Sequence, residues 1–247
     1  MAQLYHDRME CATIMPKSWA CLKGERDVSY YIRRMCQEDV AQITEIDHEA
    51  FPTMWPPANY ERELKVSLAH YIAACEEGRS AGRTEITEAQ KRISLSLSAG
   101  MKRLSNNAGS PGRKGLPPGE GQYIIGFAGL WMMADEAHIT NIAVRQGYQR
   151  QGIGEHLLIA MISLAMEQNA RTLTLEVRAS NTTAQKLYHK YGLTQVNIRR
   201  SYYTDNREDA LVMAVEDITG AAFQRHLHQL EKAHSQKWGV ALYHTVR

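Results

Sequence analysis

Gln149-Arg150-Gln151-Gly152-Ile153-Gly154 is the stretch whose reading decides the fold. Before it lies the apolar run Ile139 to Val144, which reads as the end of a buried strand. After it, Ile153, Leu157, Leu158, Met161, Ile162 and Leu164 recur at helical spacing. A glycine-bearing turn therefore joins a strand to the start of a helix. Without side chains, Gly152 and Gly154 let an anionic ligand come close to the backbone. The first helical turn offers amide N–H groups with no intrahelical partner, and the helix dipole favours negative charge there. Such a turn suits a phosphate or pyrophosphate. Tight packing alone asks for the same glycines. Neither phosphate-loop pattern with a known mechanism is present, because no Lys-Ser/Thr follows and the third glycine of the dinucleotide fingerprint is absent.

The next stretch narrows the choice. Arg171 to Ala179 alternates, with Leu173, Leu175 and Val177 on one face and Thr174, Glu176 and Arg178 on the other. That is the period of a strand. Ser180 or Asn181 can cap a following helix in which Ala184, Leu187, Tyr188 and Tyr191 share a face, and Gly192 can end it. Glu176 then sits near the exit of a strand, with Tyr188 on the next helix.

On these residues the chain resembles a known family. Val144-Arg145-Gln146-Gly147-Tyr148-Gln149-Arg150-Gln151-Gly152-Ile153-Gly154 is similar to the acetyl-CoA-binding motif of the GNAT N-acetyltransferases, Gln/Arg-x-x-Gly-x-Gly/Ala. Leu175 to Asn181, Leu187-Tyr188, Tyr191-Gly192-Leu193, Ile198 to Tyr203 and Glu208 to Met213 resemble more narrowly the ribosomal-protein alanine N-acetyltransferases. The resemblance is close from Gln122 to Val215 and looser from Tyr30 to Glu76. It leaves out the first 29 residues, the segment around 78–121 and the tail.

The resemblance implies an α/β (α+β) GNAT fold: a mixed, mostly antiparallel sheet split by a V-shaped opening, with helices on both faces. It implies acetyl-CoA as co-substrate, no metal, and the N-terminal amine of a protein as acceptor, a ribosomal protein by analogy. By the same analogy the cofactor site comprises Ile142, Ala143, Val144, Arg150, Gln151, Gly152, Ile153, Gly154, Glu155 and Asn181. Glu176 is the implied general base and Tyr188 the implied general acid. Trp55, Tyr202 and Tyr203 are expected to border the acceptor path. Each has a plainer reading: Glu176 as a surface carboxylate paired with Arg178 or Arg199, Tyr188 as a core aromatic, Asn181 as a helix cap, and the loop of Trp55 as a lid over the core. Gln151 and Glu155 stand where the family often has arginines, and Glu155 is mildly unfavourable beside a pyrophosphate. Two rivals share the fold. One is acetylation of a polyamine, another small amine or a lysine side chain, which an acidic, enclosed acceptor pocket would favour. The other is a scaffold that keeps CoA only for stability.

Composition agrees with one well-buried domain plus additions. The chain has 247 residues, 44% of them hydrophobic. A net charge of +2 argues against a general nucleic-acid binder. Cys11, Cys21, Cys36 and Cys75 have neither metal-ligand spacing nor the density of a disulfide framework. No apolar run approaches the ~18–20 residues of a membrane span, and the N-terminus lacks the pattern of a secretory signal. The expected setting is the cytoplasm; the oligomeric state is open.

Residues 1–28 read as a flexible extension, 29–216 as the acetyltransferase domain and 217–247 as a helical tail. Within the domain, Tyr30 to Met35 reads as a strand and Cys36 to Ala50 as a helix with Val40, Ile43, Ile46 and Ala50 on its buried face. Phe51 to Pro57 reads as a stiff loop, Tyr60 to Leu68 as the start of a helix, and His70 to Cys75, Tyr123 to Trp131 and His138 to Val144 as strands. The segment 78–121 is an insertion, with an amphipathic helix over Thr84 to Leu104 and a Gly/Pro-rich loop whose Arg113 and Lys114 are either solvated or RNA contacts. Val196 to Tyr203 and Ala210 to Val215 form a hairpin, and Phe223, Leu227 and Leu230 mark the tail helix.

Overall fold

A computed structural model describes residues 30–52, 58–80, 121–239 and 242–244. The expectations for the N-terminal extension, for Trp55 and its neighbours 53–57, for the helix over 84–104 and for Arg113 and Lys114 fall outside those residues.

Eight strands form one mixed sheet among the described residues. They are β1 (Tyr30–Arg34), β2 (Ala69–Ser80), β3 (Gln122–Met133), β4 (Glu136–Val144), β5 (Thr172–Arg178), β6 (Thr194–Tyr203), β7 (Glu208–Val215) and β8 (Leu242–His244). The spatial order is β6-β7-β5-β4-β3-β2-β1-β8. Every pair is antiparallel except β4–β5 and β1–β8. The helices are α1 (Val40–Ala50), α2 (Tyr60–Glu63), α3 (Ile153–Glu167), α4 (Thr182–Lys190) and α5 (Ala221–Trp238).

The parallel pair β4–β5 needs a crossover, and α3 supplies it. Its apolar residues surround it on almost every side, and nine of them from Ile153 to Ala165 are buried together with His156. Such a helix belongs in the middle of a molecule. One face of the sheet packs on it, with Leu173, Leu175 and Val177 of β5, Tyr191, and Leu227 of α5 in the same cluster. β5 alternates buried and half-buried along its length, as its sequence predicts. The other face carries α1 and α2, through Ile43, Ile46 and Tyr60 against Ile124 and Phe127. Helices therefore cover both faces, as the resemblance implied.

Several boundaries differ from the sequence reading. The first helix begins with a 3-10 turn at Gln37–Asp39. Its buried face includes Asp47 and leaves Ala50 exposed. The helix expected over Tyr60 to Leu68 lasts one turn. The tail helix packs on α3, and the chain then adds β8 beside β1. Local periodicity carries no sign of that last pairing.

Below β1 lies a buried ion pair. Arg33 and Asp39 are 9% and 3% exposed, with Nη1–Oδ2 at 2.6 Å and Nη2–Oδ1 at 2.8 Å. The Asp39 carboxylate also accepts from the Cys36 amide at 2.9 Å, and Arg33 Nε donates to Gln122 at 2.7 Å. This fork ties β1, the start of α1 and the start of β3 together. Burial pushes the Asp39 carboxyl up, but the hydrogen bonds and charge of Arg33 outweigh it and hold the carboxyl below its ordinary value. A depressed carboxyl contributes stability above its unfolded value of ~3.9 that is lost as pH falls through the folded one. Asp39→Ala should cost about 3–5 kcal/mol in urea unfolding at neutral pH, because it strands a buried guanidinium. The deficit relative to wild type should shrink as pH falls below ~4.

Candidate active site

β4 and β5 pair only from Glu136–Thr172 to Ile139–Leu175. Beyond that point they part. Asn141 to Val144 stay paired with β3, while Glu176 to Arg178 stay paired with β7. A register shift in β3–β4 between Gly129 and Leu130 marks where β4 turns away. The edge of β4 that faced β5 is thus left without a strand partner over Ile142, Ala143 and Val144. Backbone N–H and C=O groups on such an edge need partners, and an extended amide-bearing ligand can supply them.

The turn after β4 folds back on itself. Gln149 Nε2 donates to Val144 O at 3.1 Å, and Gln151 Nε2 donates to Gly147 O at 3.3 Å. Arg150 is exposed and has a left-handed φ of 63°. Gly152, at φ 80°, caps α3. A Cβ at Gly152 would lie 2.7 Å from the Trp238 ring, so this glycine is required both by its backbone and by the closeness of α5. A Cβ at Gly154 would meet only Val144 Cγ2, at 3.7 Å, so the space beside that residue is open. The two glycines thus have separate reasons: one seats the tail helix, the other leaves room at the first turn of α3. His234 of α5 donates to Gly152 O at 3.0 Å and stacks on His156. Burial, then the charge of His234, lowers the His156 ring to about 3 and keeps it neutral.

Glu155 does not face the turn as a bare charge. Its Oε1 accepts from Lys190 Nζ at 2.5 Å and Tyr191 OH at 2.8 Å, both from the α4 region. Burial raises its carboxyl, but Lys190 and Tyr191 outweigh that and hold it low. The repulsion expected from its sequence position is therefore offset. Asn181 caps α4, its Oδ1 accepting from Ala184 N at 3.1 Å.

Glu176 is the first residue of β5 past the last β4 pair. Its side chain is only 8% exposed. Oε2 lies 3.0 Å from His138 Nε2 and Oε1 lies 3.0 Å from Arg199 Nη1. The Arg199 contact is an ion pair without hydrogen-bond alignment, so Oε1 is buried with no aligned donor among the described residues. Burial pushes the carboxyl up, but the hydrogen bond and charge that His138 offers when it carries a proton on Nε2, and the charge of Arg199, hold it below its ordinary value. Glu176 is therefore ionised with one oxygen free to accept. The pairing with Arg199 noted from sequence exists; the one with Arg178 does not, since Arg178 holds Asp205 and Glu208 of the β6–β7 turn and stacks on the Tyr203 ring at 3.8 Å.

Tyr188 packs half-buried against the main core. Burial, then the Tyr203 phenol, pushes its hydroxyl up to about 12, so it stays protonated at neutral pH. Tyr203, also raised to about 12 chiefly by burial, touches Tyr202 edge-on at 5.2 Å; Tyr202 is 43% exposed. His138 was not singled out from sequence. Its place in an alternating strand gave no signal, and only the register of β4 against β5 brings it to Glu176.

A strand pair that opens in parallel register, a glycine turn at the mouth and a helix N-terminus below it define an acyltransferase of the GNAT type. The chain belongs to the GNAT acetyltransferase family and is an N-acetyltransferase: residues 105–193 match the family description "Acetyltransferase (GNAT) family". A Bacillus subtilis protein named putative [ribosomal protein bS18]-alanine N-acetyltransferase is 32% identical over 185 residues, 74% of this chain and 93% of that protein. The [ribosomal protein bS18]-alanine N-acetyltransferase of Escherichia coli K12 is 48% identical over 91 residues, which span 36% of this chain and 62% of that protein. The crystal structure of the Escherichia coli ribosomal-protein-S18-alanine N-acetyltransferase superposes with a TM-score of 0.54 at 26% identity, covering 78% of this chain and 97% of that one. Among the described residues no helix is long and apolar enough to cross a membrane, and no cluster of three or more His, Cys, Asp or Glu is arranged to hold a metal ion.

Gly152→Ala should lower stability by about 1–3 kcal/mol for the left-handed backbone alone. A thermal melt should show a larger loss than Gly154→Ala, whose new methyl meets no close neighbour.

Proposed function

We propose that this enzyme transfers the acetyl group of acetyl-CoA to the N-terminal amine of a protein, preferring alanine or another small first residue, with a ribosomal protein as acceptor. The observation that carries the reading is the position of Glu176: ionised, buried, and the first residue beyond the point where β4 and β5 part. The likeness to the Bacillus subtilis and Escherichia coli enzymes supports the choice of acceptor.

The unpaired edge at Ile142, Ala143 and Val144, with the backbone of Arg150 to Glu155, would hold the CoA moiety, and Asn181 would contact it from the start of α4. The room beside Gly154 fits a bulky anion against the helix N-terminus. When bound, acetyl-CoA supplies the thioester that is attacked. The attacking amine must be neutral. A peptide N-terminus has a pKa of ~7.7–8.0, so a sizeable share is neutral near pH 7.5, whereas a lysine at ~10.4 is almost wholly protonated. A modest base therefore suffices. Glu176 Oε1 has the free acceptor capacity to take the amine's proton, directly or through a water. Backbone N–H groups along the β4 edge would steady the developing oxyanion. Tyr188, protonated at working pH, would give its proton to the leaving thiolate. Tyr202 and Tyr203 would line the path of the peptide.

Turnover of acetyl-CoA should be confined to peptides with free N-termini, strongest with alanine first. Activity only on free polyamines or on an N-blocked lysine peptide would overturn the acceptor assignment. Glu176→Gln should lower kcat by about a hundredfold or more, and Tyr188→Phe by about tenfold or more. Wild-type rates in either variant would remove that residue from the mechanism.

A further inference from the structure

Behind Glu176 the structure holds a continuous polar chain that runs between two strands. Glu176 Oε2 meets His138 Nε2 at 3.0 Å, His138 Nδ1 meets Thr174 Oγ1 at 2.9 Å, and Thr174 Oγ1 meets Glu136 Oε1 at 2.7 Å. The four residues interleave across the last paired stretch of the parallel strands, where His138 and Thr174 are Cα partners and Glu136 pairs with Thr172. Among the described residues, the charged or titratable groups around the pair include Arg199 of β6 on Oε1 of Glu176 and Tyr203 within electrostatic reach of it. On the third side Trp131, the cross-strand partner of His138, donates to Glu63 of α2 at 3.4 Å.

Counting protons decides what the chain can do. A threonine hydroxyl has one proton, and here it goes to the Glu136 carboxylate. Thr174 Oγ1 is then an acceptor toward His138, so Nδ1 must carry a hydrogen. A neutral imidazole in that tautomer has its lone pair on Nε2, aimed at Glu176 Oε2. Two lone pairs 3.0 Å apart repel; the contact becomes a hydrogen bond only when one more proton lies between them. The gap between Glu176 and His138 is thus shaped for a single proton, and all three contacts of the chain are satisfied only when it is there.

We propose that His138 is a positioning residue for the transfer reaction: it completes with Glu176 a pair that takes up the amine's proton, and Thr174 and Glu136 hold its ring in the tautomer that makes this work. The proposal rests on Glu176 being the general base. As the new C–N bond forms, the amine N–H bond breaks, its electron pair stays on nitrogen, and the proton passes to the Glu176 carboxylate. The terminal carboxylate torsion is two-fold, so either oxygen can present the proton to Nε2. The carbon–sulfur bond breaks with its electron pair on sulfur, which takes a proton from Tyr188. The stored proton then returns to the tyrosinate by way of solvent, so amine and thioester yield amide and thiol with no proton left over. A lone carboxylate held low by Arg199 is a poor base; a carboxylate that hands its proton to an imidazole keeps its own charge beside that arginine.

The test uses the full chain with acetyl-CoA and an alanine-initiated peptide. His138→Gln keeps a donor near Glu176 and cannot take up a proton; kcat should fall about tenfold or more while CoA affinity and the melting temperature stay near wild type. Once the titration of the peptide amine, the same for every variant, is divided out, the acid limb of the kcat/KM profile reports protonation of the pair and should move to lower pH in His138→Gln, Thr174→Val and Glu136→Gln. Thr174→Val should add nothing in the His138→Gln background, since the two act through one chain. Nitrogen NMR of the neutral His138 ring, which needs no turnover, should find the proton on Nδ1 in wild type and shift toward Nε2 in Thr174→Val. A neutral ring protonated at Nε2 in wild type would overturn the proposal. So would unchanged kcat and pH profile in both His138→Gln and Thr174→Val alongside an inactive Glu176→Gln, which would leave the base assignment standing. Full activity in Glu176→Gln would instead remove the base assignment and this proposal together.

Discussion

Two parallel strands that pair for four residues and then separate are the constraint on which the rest of this structure depends. Main-chain amides and carbonyls cannot be left unpartnered in a protein interior without a cost of about 1–3 kcal/mol each. When β4 leaves β5 after Ile139, its outer edge becomes such a liability, and a site that accepts an extended ligand is the natural remedy. The antiparallel neighbours hold the opening apart. β3 stays paired with β4 on one side, and β7 stays paired with β5 on the other. α3, wedged beneath through its apolar surface, prevents the gap from closing by collapse.

The same separation sets the electrostatics. Glu176 is the first residue of β5 beyond the last pair with β4, and its side chain is buried enough to be sensitive to its partners. Burial alone would neutralise it. Contacts with His138 of β4 and Arg199 of β6 hold its carboxyl below the ordinary value instead. Tyr188 is tuned the other way, kept protonated by burial. Two groups on neighbouring elements are thus kept in opposite protonation states at neutral pH, an ionised carboxylate and a protonated phenol. At the other end of the opening α5 supports the glycine turn from outside: Trp238 fills the side of Gly152 where a Cβ would stand, and His234 ties down its carbonyl.

Much of this was legible in the chain. The period-two run of β5, the Asn181 cap and the glycine turn are local features, and local backbone and hydrogen-bond geometry follows from them. Local pattern placed Glu176 near a strand exit and Tyr188 on the next helix, but only the resemblance to the GNAT family singled them out as base and acid. His138 could not be named, because a histidine in an alternating strand looks like any half-buried polar residue until its neighbour across the sheet is known. Nor could Trp238, whose partner Gly152 lies 86 positions earlier, or the neutralisation of Glu155 by Lys190 and Tyr191.

The sequence by itself determined the elements from β4 to α4, the order of the turn and helix that follow β4, and the residue types offered at the opening, because these depend on spacing along a single stretch of chain. The tertiary structure decided which charges meet: that Glu176 is held by His138 and Arg199 rather than Arg178, that Glu155 is spent on α4, and that the tail helix closes over Gly152. Those outcomes depend on strand register and helix placement, which bring together residues far apart in the chain and are selected by burial of the whole core rather than by any local pattern.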